Sequence, residues 1–193
     1  KQAILYRSEN NGITMDDLSD DILDLLYDTD KILVCELSKE EKEDDTQIVN
    51  AYEAILNITE TGIMGYIEIP DISVSLPIYH GTSDAVLQIA VGHIEGSSLP
   101  VGGAGTHSAI SGHRGLPSAK LFTNLDELDM GDLFFLHILD EALTYEVDQI
   151  RIVEPHEVED LLIEEGKDQC SLVTCTPYGI NSHRLLVRGH RVD

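Results

Sequence analysis

Three residues of this chain have, between them, the chemistry of acyl transfer: Cys175, His113 and Arg184. A cysteine thiolate is a strong nucleophile, and a neighbouring imidazolium or guanidinium favours the ionised form. The imidazolium can then protonate a leaving amine and later take a proton from an incoming one. A guanidinium keeps its charge at neutral pH, so its role would be to hold an oxyanion or the substrate backbone. Taken alone, each residue has a plainer reading. Cysteine is among the most buried residue types, and most single cysteines fill cores. The chain has eight histidines, of which His107 and His93 rival His113, and Arg188 rivals Arg184.

The elements around these residues favour a shared site. Cys175 ends the apolar run Cys170-Ser-Leu-Val-Thr-Cys175, which reads as a strand giving way to a loop at Thr176-Pro177. A second strand follows at 184–192, and alternation puts Arg184, Leu186 and Arg188 on one of its faces. A hairpin joining the two runs brings Arg184 towards Cys175. His113 sits in a glycine-flanked turn after the strand candidate 108–111. His183 should point away from Arg184, and Arg114 away from His113 into a surface ion pair. Cys170, an odd number of residues before Cys175, should face the core.

Further strands are expected at 63–69, 74–79, 133–138, 143–153 and 171–174, with a turn at Pro70-Asp71. Short helices fit 83–90, 118–125 and 157–164. Seven or eight short strands with so few helices predict a mainly β fold, a closed or nearly closed barrel. The character before Gly62 is different. Residues 1–60 hold sixteen acidic and five basic side chains, with Leu18, Ile22, Leu25 and Leu26 at helical spacing and a second helix candidate over 45–58. The charged run 38–45 between them is a solvated connector. The division expected is a helical N-terminal extension over 1–60 and a barrel over 61–193.

Several stretches together resemble the sortases, and among them class C, the pilin-polymerising group. Ser-Leu-Val-Thr-Cys at 171–175 is similar to the signature Thr-Leu-x-Thr-Cys, with Ser171 for the first threonine. Ser-Gly-His-Arg-Gly-Leu-Pro-Ser-Ala-Lys-Leu-Phe-Thr-Asn-Leu-Asp at 111–126 is similar to the histidine region of that class, and 76–83, 92–103 and Arg-Leu-Leu-Val-Arg-Gly at 184–189 are also similar to that class. The resemblance implies an eight-stranded barrel, a Cys175 nucleophile, a His113 general acid and base, and an Arg184 that stabilises the oxyanion. Thr174 would serve the oxyanion site through its backbone or hydroxyl. The implied reaction cleaves a Leu-Pro-x-Thr-Gly-type signal between Thr and Gly and joins the acyl product to a pilin lysine. No cofactor and no metal is implied. The implied place is the outer face of a Gram-positive membrane, reached as a monomer through anchors outside this stretch.

Class C members carry an N-terminal lid with an Asp-Pro-aromatic motif, which is missing from residues 1–60. The candidates for a lid here are Tyr27, Asp28, Asp30 and Cys35. A lid cysteine pairing with Cys175 would make a redox-sensitive closure, although the ordinary reading of Cys35 is a packed core residue.

Other classes fit less well. In papain-like proteases the cysteine precedes the histidine in the chain, the reverse of the order here. The Ser-His-Gly-Cys motif of L,D-transpeptidases is missing. Cys170 and Cys175 are too far apart for a zinc pair, and no Asp-x-Asp-x-Asp-Gly loop is present to hold calcium. A housekeeping-type sortase anchoring proteins to peptidoglycan is an alternative. A non-catalytic acidic barrel of a pilus or adhesin is another, and it leaves the three motifs unexplained.

Composition sets the outer limits. With 193 residues, 42% hydrophobic, the chain can bury a real core. Its 36 acidic and 12 basic residues give a net charge of −24, which argues against nucleic acid or an anionic membrane surface as partner. Three cysteines do not make a disulfide framework. No apolar run reaches eighteen residues, and the start at Lys1 reads as an excerpt of a longer precursor.

Overall fold

The computed structural model describes residues 52–57, 61–115 and 120–193. Eight strands form its framework: β1 (Ile63–Ile69), β2 (Val74–His80), β3 (Val91–His93), β4 (Thr106–Ser111), β5 (Leu133–Ile138), β6 (Glu141–Val153), β7 (Asp168–Thr176) and β8 (His183–Arg191). They close into a barrel in the order β1-β2-β3-β4-β7-β8-β6-β5. Closure leaves no unpaired sheet edge, which is how a mostly β chain of this size avoids edge-to-edge association. The mainly β expectation holds, and so do the strands expected at 63–69 and 133–138, residue for residue. The three-residue β3 escaped the sequence reading, because Val91-Gly-His93 is too short to show alternation.

Two of the eight pairings are parallel, β2 with β3 and β4 with β7. Parallel neighbours need a crossover. Between β2 and β3 this is a loop with one helical turn, α1 (Asp84–Leu87), shorter than the helix expected over 83–90. Between β4 and β7 it is the whole β5–β6 hairpin and the segment that follows. The turn expected at Pro70-Asp71 is a 3-10 turn over Pro70–Ile72. The helix expected over 157–164 is reduced to Glu159–Leu161. Of the one expected over 118–125, residues 118 and 119 lie outside the described residues, and a 3-10 turn covers Leu125–Glu127.

Period-two alternation builds two apolar layers. The barrel interior holds Ile67, Ile78, Ile110, Leu136, Leu172 and Val187, all fully buried, with Phe134 stacked on Tyr145 at 5.4 Å. Each such side chain contributes about 1.5–3 kcal/mol by leaving water. A bulge between Ile63 and Gly65 switches the parity of β1, so that Met64 and then Ile67 and Ile69 all turn inward. Glycine is required at 65, since a Cβ there would lie 2.4 Å from the His137 carbonyl oxygen. A second, smaller cluster lies on the outer face of β4, β7 and β8: Ile94, Ala109, Val153, Val173 and Leu186, with Leu161 packed on it.

Of the segment expected to be helical over 45–58, the described part is 52–57, helical through 52–54. It is fastened to the barrel by Tyr52, which is buried. Its hydroxyl accepts from the Gly81 amide at 3.0 Å and lies 2.9 Å from His93 Nδ1. No helix of the described residues is long and apolar enough to cross a membrane.

Candidate active site

Alternation on β7 separates its two cysteines. Cys170 and Leu172 belong to the interior core, whereas Val173 belongs to the outer cluster, so Cys175 stands on the outer face. Cys170 is completely buried, and burial pushes its thiol well above the usual range, which suits core filler and not a nucleophile. From Gln169 to Thr176 the strand is buried at every residue except Cys175, which is half-buried. The nucleophile candidate is thus the one point of this stretch where the strand is open to an incoming group.

Arg184 arrives beside it through the β7–β8 hairpin. The antiparallel register pairs Cys175 directly with Arg184 and Ser171 with Arg188. Directly opposed residues on one face have Cβ atoms about 4.5–5.5 Å apart. The Arg184 side chain is buried, and its Nη1 donates to the carbonyls of Asn181 and His183 at 3.2 and 3.1 Å. Among the described residues it forms no ion pair. Arg188, four residues on along the same face, is taken up by Asp148 at 2.9 Å and Glu164 at 3.3 Å. The two arginines that alternation could not separate are therefore distinguished by register and by partners.

His113 is placed by the parallel β4–β7 pairing. That ladder runs from Thr106 opposite Asp168 to Ser111 opposite Val173. It continues past the strand end, where the Gly112 amide donates to the Val173 carbonyl at 3.0 Å. Counted onward in the same register, position 113 corresponds to position 175, two residues beyond the end of β4. Thr174 secures the arrangement from the inner side, its Oγ1 donating to the Gly112 carbonyl at 2.7 Å. The hydroxyl is thus engaged across the sheet, on the face opposite the thiol. Gly112 has no room for a side chain, because a Cβ would lie 2.7 Å from Phe122 and 2.9 Å from Val91. The His113 carbonyl accepts from the Phe122 amide at 3.1 Å, which ties the turn to the segment beneath it.

Three other histidines are engaged elsewhere. His107 is buried on the outer face, with Nδ1 3.0 Å from the Leu162 carbonyl and Nε2 2.8 Å from Ser171 Oγ. The imidazole donates to the carbonyl and accepts from the hydroxyl, so the serine that departs from the signature is a histidine partner. His93 is buried between Tyr52 and the Ser98 carbonyl, and burial lowers it to about 4. His183 reaches out to Glu154 at 3.1 Å, as a residue pointing away from Arg184 should. The ion pair expected of Arg114 forms with Asp126 at 2.5 Å, yet the arginine end is only 9% exposed and so is not at the surface. Tyr27, Asp28, Asp30 and Cys35 lie outside the described residues. Among the described residues no cluster of His, Cys, Asp and Glu is arranged to hold a metal ion.

Cys175 on β7, Arg184 opposite it on β8 and His113 in the turn after β4 are the residue types that thiol acyl transfer requires, and related proteins share this frame. The family model described as the sortase domain matches residues 67–192. Sortase D of Bacillus subtilis is 32% identical over 137 residues, 69% of this chain and 66% of that protein. Sortase A of Bacillus anthracis is 26% identical over 86% of this chain and 75% of its own length. Among solved structures, sortase C1 of Streptococcus agalactiae is 47% identical, covers 100% of this chain and 98% of its own, and superposes with a TM-score of 0.74. Sortase C-1 of Actinomyces oris is 42% identical over 91% of this chain and 99% of its own, with a TM-score of 0.75. The chain belongs to the sortase family of cysteine transpeptidases, and its neighbours among solved structures include class C sortases.

Proposed function

We propose that this sortase cleaves a Leu-Pro-x-Thr-Gly-type sorting signal between Thr and Gly and transfers the acyl half to the ε-amine of a pilin lysine. The observation that carries this reading is the register that pairs Cys175 with Arg184, together with the β4–β7 ladder that leads to His113. The Cys175 thiolate adds to the threonine carbonyl carbon, and the negative charge moves to the carbonyl oxygen. Arg184 is the donor to that oxygen, its charge fixed and its side chain desolvated, where electrostatic stabilisation is strongest. The backbone at Thr174 is a further candidate donor. As the C–N bond to glycine breaks, His113 gives its proton to the departing amine. The result is a thioester on Cys175. A lysine amine then attacks the thioester, His113 accepts its proton, and the thiolate leaves. The product is an isopeptide bond, and the enzyme returns to its starting state.

The pilin acceptor, action as a monomer and a position at the outer face of a Gram-positive membrane complete the proposal. The class C neighbours support the pilin substrate; one is described as a pilus-related sortase C of group B Streptococcus. The test is to incubate the chain with a Leu-Pro-x-Thr-Gly peptide and an amine-bearing pilin fragment. A mass increment on Cys175 equal to the acyl half is expected, followed by an isopeptide-linked product. A wild-type chain that forms neither, or an acyl group on another residue, overturns the reading.

A further inference from the structure

The residue after His113 is tied to more of the site than a surface ion pair requires. Arg114 Nη2 meets Asp126 Oδ2 at 2.5 Å, and Nη1 donates to Thr176 Oγ1 at 3.3 Å. Its guanidinium carbon lies 5.9 Å from the centre of the Tyr178 ring, within cation–π range. Tyr178 in turn lies against Gly115, where a Cβ would come within 2.9 Å of the ring. The Gly115 amide donates to Thr123 Oγ1 at 3.1 Å. One planar cation therefore joins the turn that carries His113, the 3-10 turn holding Asp126, the residue after Cys175, and the loop leading to Arg184. A guanidinium suits this task because its donors are fixed in a plane and reach two partners at once, while its face remains for the aromatic ring.

We propose that Arg114 is a positioning residue for the acyl-transfer reaction: it braces the histidine-bearing turn against the end of β7, so that His113 is held at working distance from Cys175. It acts through the backbone of the turn and touches no reacting atom. The proposal rests on the roles given above to Cys175 and His113.

Two readouts test it. The first is the pH dependence of Cys175 alkylation by iodoacetamide, followed by peptide mass spectrometry, which needs no sorting signal. The second is kcat and KM for a Leu-Pro-x-Thr-Gly peptide. Misplacing a catalytic group by about 1 Å costs on the order of 100-fold. Arg114→Ala is expected to lower kcat about 10- to 100-fold with KM within about twofold, and to change the pH dependence of Cys175 alkylation. Asp126→Asn keeps the guanidinium charge and alters an exposed partner, so it should fold normally. It is expected to shift both readouts in the same direction, by about 3- to 10-fold in kcat. Arg114→Lys keeps the charge but cannot bridge Asp126 and Thr176 while covering Tyr178, and should rescue little. Full rescue by Arg114→Lys with a silent Asp126→Asn would assign the effect to charge and overturn the brace. Unchanged alkylation profiles in Arg114→Ala and Asp126→Asn would overturn it too. A wild-type chain that fails to cleave the peptide, while these variants still shift the Cys175 profile, would sink the proposed substrate and leave the brace standing.

Discussion

The two faces of β7 carry the same residue type to opposite ends. On the inner face, Cys170 is packed with Leu172 in the barrel core, and its thiol is held protonated by burial. On the outer face, Cys175 follows Val173 along the sheet and is half-buried beside Arg184. They stand five positions apart along extended chain, and an odd offset is enough to reverse the side-chain direction. Reactivity in a cysteine follows from its surroundings. Around Cys170, low dielectric and then the Asp168 carboxylate penalise a thiolate, whereas the outer face offers a guanidinium and leads to the histidine turn.

The sharpest way to break this comparison is to remove each thiol in turn. Cys175→Ala should abolish acyl-enzyme formation, a loss of about 10⁴-fold or more in kcat. Cys170→Ala should leave kcat within about twofold and lower stability by about 1–2 kcal/mol through an unfilled core volume, measured by urea unfolding. Turnover that survives the first change, or disappears with the second in a folded protein, would invert the assignment.

The arginines extend the contrast along the outer face. Arg184→Ala is expected to cost about 100- to 1000-fold in kcat, as loss of an oxyanion donor does. Arg188→Ala releases Asp148 and Glu164 from a structural pairing and should change kcat less than about threefold. Equal losses in the two variants would mean that register does not decide the role.

Gly112 tests how closely the two strands must pack beneath His113. Gly112→Ala forces its methyl against Phe122 and Val91. Such overpacking should destabilise by about 1–3 kcal/mol, read from thermal unfolding, and should lower kcat by displacing the next residue. A fully active and stable Gly112→Ala enzyme would show that the turn has slack.

The smallest effect on catalysis separates the histidines. His93 is buried and neutral in the folded chain, lowered from 6.5 to about 4 by desolvation. The unfolded chain therefore takes up the extra proton between those values. Stability from this residue is complete above pH 6.5 and is lost as pH falls towards 4, on the order of 3 kcal/mol. A His93→Gln variant should show a shallower fall in unfolding free energy across that window, and an identical slope would count against the buried neutral ring.

Much of the barrel was legible because seven of its strands are long enough to show alternation or an apolar run bounded by turns. β3 was not, since three residues cannot display a period. The short helices were overextended because one-turn elements are set by what they pack on, and propensity says little at that length. In the site, Cys175 and His113 stood out through the family motifs. Arg184 could not be told from Arg188 by alternation alone, because both lie on one face of β8. Arg114 reads from the sequence as a surface group, and nothing local reveals that the residue beside a turn histidine will lie under a tyrosine from another loop.

By itself the sequence determined the residue types, their order along the chain and the face of the strand each would occupy, since side-chain direction in a strand alternates with position. Only the tertiary structure decided which residues meet. The parallel joining of β4 to β7 brings two segments together across the β5–β6 hairpin, and the register of β7 with β8 selects Arg184 over its neighbour. Those pairings depend on contacts between residues far apart in sequence, whose strength comes from closing the barrel around one shared core.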